Sequence, residues 1–99
     1  MSLYAVHYTY DERADERAAR RPEHLAHFRS LADAGKVPVI GRYGDSLEPG
    51  ALIVLDVDSL AEAEDIVAHD PYVLAGLVPA HAIREWPAFG AWPGRDFPA

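Results

Sequence analysis

The order of apolar and polar positions divides the chain into strand-like and helix-like segments. Leu3-Tyr4-Ala5-Val6-His7-Tyr8-Thr9-Tyr10 is rich in aromatic and β-branched residues and predicts a first strand that stops at Asp11-Glu12. From about Asp15 to Gly35 the spacing becomes helical. Leu25, Phe28, Leu31, Ala32 and Gly35 fall on one stripe, and Gly35 is suited to end the helix. Pro22 interrupts this stretch. Because proline favours the first helical turn and restrains the residue before it, the regular helix is expected to begin near Arg21 or Pro22. The arginine-rich segment before it then reads as a loop or a separate turn.

Val37-Pro38-Val39-Ile40-Gly41-Arg42-Tyr43 predicts an edge strand, since Pro38 cannot donate to a sheet ladder, and residues 44–50 predict a polar turn. Ala51-Leu52-Ile53-Val54-Leu55-Asp56-Val57 is a nearly continuous apolar run, the pattern of a central strand buried on both faces. Ser59 and Glu62 form a capping box ahead of a short helix with Leu60, Ala63, Ile66 and Val67 on its apolar side. Asp70-Pro71 opens a further turn or helical turn to Gly76, and Ala80 to Trp86 predicts the last strand. The resulting βαββα(α)β order is that of an α+β, ferredoxin-like protein: an antiparallel sheet with helices on one face. The other sheet face is left to be covered, which predicts a homodimer. Residues 1–88 read as one domain, followed by an aromatic, Pro- and Gly-rich tail over 89–99 containing Phe89, Trp92 and Phe97.

With 99 residues, 49% apolar and 25% charged, the chain has an ordinary globular composition and no apolar run long enough to span a bilayer. Neither a membrane role nor a secretory signal is predicted, and the expected location is cytoplasmic. The absence of cysteine removes disulfides, thiolate nucleophiles and cysteine-based zinc sites. A net charge of -7 with nine Lys and Arg residues argues against nucleic acid as a partner.

Chemistry therefore has to come from His, acids, Arg, Tyr or Ser. His24 lies one turn before Phe28 on the inner stripe, where a core-boundary histidine bonded to backbone would also sit. Asp70 before Pro71 has the pattern of a helix N-cap. Together they can form an imidazole oriented by a carboxylate, a general base suited to proton abstraction or elimination. Arg20 and Arg21 could hold a substrate carboxylate, or pair with Glu16 and Glu23. Tyr8, Ser46 and Tyr72 are further candidate hydrogen-bond donors in a pocket, although strand packing or turn formation also accounts for them. His24-x-x-His27 has a spacing open to metal, with a third ligand needed from His7, His69 or Asp70. No metal site and no cofactor are predicted.

Tyr4-Ala5-Val6, Arg21-Pro22-Glu23-His24-Leu25-Ala26-His27, Gly41, Gly50-Ala51-Leu52, Ser59-Leu60-Ala61-Glu62-Ala63, His69-Asp70-Pro71-Tyr72 and Arg84-Glu85-Trp86 follow one another in an order that resembles the YCII-related (YciI-like) family. The resemblance implies a dimeric α+β barrel with a pocket between helix and sheet near the subunit interface. It matches His24 and Asp70 to the family's active-site pair. One activity in that family is dehydrochlorination of a chlorinated muconolactone-type compound, while most members have no assigned reaction. The expectation is a lyase or isomerase acting on a small organic acid or lactone, with His24 and Asp70 catalytic and Arg21, Tyr8, Ser46 and Tyr72 binding substrate. The alternative is a non-catalytic dimeric ligand-binding or accessory domain using the same pocket.

Overall fold

A computed structural model describes residues 1–98; Ala99, the last residue of the tail, lies outside the described residues. The elements are β1 (Ser2–Thr9), α1 (Ala14–Asp33), β2 (Val39–Arg42), β3 (Gly50–Val57), α2 (Leu60–Ala68), α3 (Pro71–Leu74) and β4 (Ala80–Glu85). The strands form one antiparallel sheet in the order β2-β3-β1-β4, so the chain has the α+β, ferredoxin-like arrangement. β1 and β3 are central, paired from Ser2 opposite Val57 to Thr9 opposite Gly50.

Alternation along the two central strands determines what faces the helices. Tyr4, Val6 and Tyr8 of β1 and Ala51, Ile53, Leu55 and Val57 of β3 form the core with Phe28 of α1 and Ala63, Ile66 and Val67 of α2. On the opposite face Leu3 and Val54 are also buried, as the apolar run of β3 requires. There the C-terminal segment folds back: Arg95 reaches the Met1 carbonyl at 3.4 Å and the Asp56 carboxylate at 3.5 Å. The segment closes on itself as Gly90 N–H donates to the Arg95 carbonyl (2.7 Å) and Phe89 meets Phe97 edge to face, centroids 5.4 Å apart.

α1 departs from the sequence expectation. It starts at Ala14, not near Arg21 or Pro22, and carries Pro22 in its interior. Proline removes one helical N–H, but Ala18, whose carbonyl loses that partner, is exposed and can be hydrated. Asp11 offsets the weakness. Its carboxylate accepts from Arg13 N–H (3.0 Å) and from the Arg13 and Arg17 guanidiniums, at 2.7 and 3.3 Å in their closest contacts. Arg13 also donates to the Gly76 carbonyl at 2.8 Å, tying the helix start to the end of α3. The extra turns extend the inward stripe backwards. Arg17, Arg21, His24, Phe28 and Leu31 recur at alternating steps of four and three, cationic at one end and apolar at the other.

α2 begins with the expected box: Ser59 Oγ accepts from Glu62 N–H (3.1 Å), and Glu62 accepts from Asp58 N–H (3.2 Å). Gly50 marks the tightest approach in the sheet, because a Cβ there would fall far inside contact distance of the Tyr8 carbonyl. Gly50→Ala is therefore expected to lower unfolding stability by about 1–3 kcal/mol, read by chemical denaturation. A variant as stable as the parent protein contradicts this close approach.

Candidate active site

Three elements converge on one buried carboxylate. Asp70 is the N-cap of α3, with Pro71 at the first helical position, and its Oδ1 accepts the Tyr72 N–H at 3.0 Å. The same oxygen accepts from His24 Nδ1–H of α1 at 2.8 Å, and Oδ2 accepts the Tyr8 hydroxyl of β1 at 2.7 Å. Asp70 is 0% exposed and His24 6%. Capping and side-chain pairing are thus carried by one residue.

The acceptor on Nδ1 places the ring hydrogen there and leaves the Nε2 lone pair available. Nε2 has no hydrogen-bond partner among the described residues, yet it is not a buried orphan, so it is open to the space beside it. The ring is fixed by stacking on Tyr72, with centroids 3.9 Å apart and planes 9° from parallel, and by the edge-on Phe28 ring at 5.1 Å. Tyr8 is a durable donor. Burial, reinforced by the Asp70 charge, pushes its hydroxyl far above the ordinary tyrosine value. Burial likewise raises Tyr10 and Tyr72, while the Arg17 and Arg21 guanidiniums pull the other way.

His24 opens onto a cavity of about 340 Å³ between α1 and the β2–β3 edge, roofed by Arg17 and Arg21 and floored by Gly50 and Ala51. Such a volume suits a small molecule. Small floor residues create it. Ala51 lies between Arg42 on β2 and Tyr8 on β1 in one cross-strand row, all facing the helices.

Tyr8, His24, Asp70 and Tyr72 form one connected group, and Arg21 and Tyr72 line the cavity with His24. Ser46 stands apart, exposed in the segment between β2 and β3 and outside the cavity lining. Arg20 faces solvent and reaches Glu23 at 3.5 Å. His27 turns away from His24, donating Nε2–H to the Ile66 carbonyl at 3.0 Å. No group of three His, Cys, Asp or Glu gathers as a metal cluster among the described residues. Nor is any helix there long and apolar enough to cross a membrane. Arg17, Arg42, Tyr10 and Tyr43 line the cavity without having been singled out from the sequence. The signal for Arg17 was the continuation of the α1 stripe past Pro22; for Arg42 it was strand alternation from Ile40.

Comparison with solved structures gives a match to 5-chloro-2-hydroxyhydroquinone dehydrochlorinase (TftG) from Burkholderia phenoliruptrix AC1100, determined in complex with 2,5-dihydroxybenzoquinone. The TM-score is 0.75 at 23% identity, over 89% of this chain and 95% of that one, which establishes a shared fold. No curated protein matches in sequence. The profile of the YCII-related domain matches residues 1–87. A match over that share of the chain, on the strand order already described, makes this protein a member of the YCII-related family.

Proposed function

We propose that the protein is a small-molecule lyase in which His24 is the general base and Asp70 its orienting partner. The observation that carries this reading is the arrangement at His24: one nitrogen on a buried carboxylate, the other facing a cavity. The dehydrochlorinase activity and quinone ligand named for the structural neighbour support a cyclic, oxygen-rich substrate. In the elimination, Nε2 takes a proton from carbon. The C–H electron pair becomes the new double bond, and the group on the adjacent carbon leaves with its bonding pair. Asp70 offsets the charge of the imidazolium so formed, while Tyr8 and the Tyr72 N–H hold the carboxylate in place.

The proposal includes a homodimer formed through the sheet face away from the helices. That face carries exposed Val39 and Trp86 and a hollow of about 300 Å³ walled by Ala5, His7, Leu52 and Arg84. In sedimentation the protein is expected to run as a dimer and Leu52→Glu as a monomer; a monomeric parent protein overturns this part.

Assays on a panel of hydroxylated quinones, lactones and their chlorinated forms, with product and halide release measured, test the chemistry. His24→Ala and Asp70→Asn are each expected to lower turnover by about 10²–10⁴-fold. Turnover at the parental rate in both variants rejects the dyad. Ligand binding that depends on the dyad without any turnover points instead to a binding module.

Tyr8→Phe separates support from chemistry. It removes one donor from Asp70, so a stability loss of about 1–3 kcal/mol at neutral pH is expected. The unfolded chain releases the Tyr8 proton near its ordinary value of 10.0 while the folded chain retains it. The folded state then binds more protons, and stability falls as pH rises above that value. Tyr8→Phe should remove one proton from this dependence, about 1.4 kcal/mol per pH unit in denaturation experiments. An unchanged alkaline slope contradicts the assignment.

A further inference from the structure

The cavity has a charge opposite to that of the protein. The chain carries a net charge of -7, yet three of its nine basic Lys and Arg residues line this one cavity, and no Asp or Glu does. Arg17 is already engaged: it bonds Asp11 at 3.3 Å and lies over the Tyr10 ring, 4.7 Å from its centroid. Arg21 and Arg42 form no ion pair with an acidic side chain among the described residues.

These two arginines come from opposite walls. Arg21 lies on α1, one turn before His24 on the same stripe. Arg42 lies at the end of β2, where alternation from the packed Ile40 puts it on the helix side of the sheet, opposite Ala51. Ala51, part of the floor, is too small to shield Arg42 from the cavity. Tyr10, Tyr43 and Tyr72 add aromatic rings to the walls, beside the aliphatic Leu25 and Ile40. Two guanidiniums across a small space with aromatic sides match a planar ring bearing an anionic oxygen group.

We propose that Arg21 and Arg42 form an anion clamp that selects planar, negatively charged ring compounds, with Arg42 the specificity-determining member. The inference rests on the proposed lyase reading for its orientation, since a ring held by its anionic edge at the α1–β2 mouth presents its opposite edge to His24. It assigns Arg42 to binding and His24 to proton transfer. Truncating Arg42 therefore weakens binding of anionic rings, while truncating His24 removes turnover.

Salicylate and its neutral amide, salicylamide, test the clamp because they share a ring and differ in charge. In NMR or calorimetric titrations the parent protein is expected to bind salicylate about tenfold more tightly than salicylamide. Arg42→Gln should bring the two ligands within threefold of each other, and Arg42→Lys should restore part of the difference. Arg29→Gln, exposed on α1 and outside the cavity lining, should retain the full preference. The clamp is overturned if the parent protein shows no charge preference, if it binds neither ligand, or if the preference survives in Arg42→Gln. A lost preference in Arg42→Gln together with parental turnover in His24→Ala rejects the catalytic reading while the clamp stands. The reverse pattern rejects the clamp alone.

Discussion

A carboxylate with 0% exposure is tolerated only when its oxygens are fully occupied, and Asp70 meets that demand by drawing donors from three elements. Tyr8 reaches it from β1, His24 from α1 and the Tyr72 N–H from α3 itself. The site and the packing of the fold are therefore one structure. Moving α1 relative to the sheet would strand a buried charge, so the requirement for satisfied hydrogen bonds fixes the His24 ring with greater precision than apolar contacts alone.

The same geometry explains how α1 serves two purposes along one stripe. Toward its C-terminal end the stripe is Phe28 and Leu31, which pack against the sheet. Toward its N-terminal end it is Arg17 and Arg21, which face a cavity that Ala51 and Gly50 leave open. His24 lies at the junction, with one nitrogen on the buried side and the other on the open side. Asp11 makes this possible, because its bonds to Arg13 and Arg17 hold the helical turns ahead of Pro22. Electrostatics follow from that arrangement: an acidic chain concentrates guanidiniums where its histidine is accessible.

Much of this was legible in the order of residues. Aromatic and β-branched richness marked the first strand, and the apolar run Ala51–Leu55 placed a central one. Ser59 with Glu62, and Asp70 with Pro71, announced two helix starts through local bonds that need nothing from the rest of the chain. Where local signals conflicted, the reading failed. Pro22 outweighed the stripe on either side of it, because the bonds that hold the preceding turns come from Asp11 and from Gly76, 63 positions beyond Arg13. Ser46 had a suitable side chain, but the fold leaves it on an exposed segment away from the cavity.

The sequence by itself determined the strand and helix order, the two capping residues, the absence of thiol chemistry and the pairing of His24 with Asp70 as candidates. The first three depend on residue type and short-range spacing, whereas His24 and Asp70, 46 positions apart, were paired by their chemistry and by the family resemblance. Only the tertiary structure decided that Asp70 is a cap and a partner for His24 at once, that Tyr8 supports it, and that Arg42 shares a cavity with Arg21. Those relations join positions such as Tyr8 and Asp70, 62 residues apart. Their distances are set by strand register and by how α1 lies on the sheet, neither of which is expressed in local periodicity.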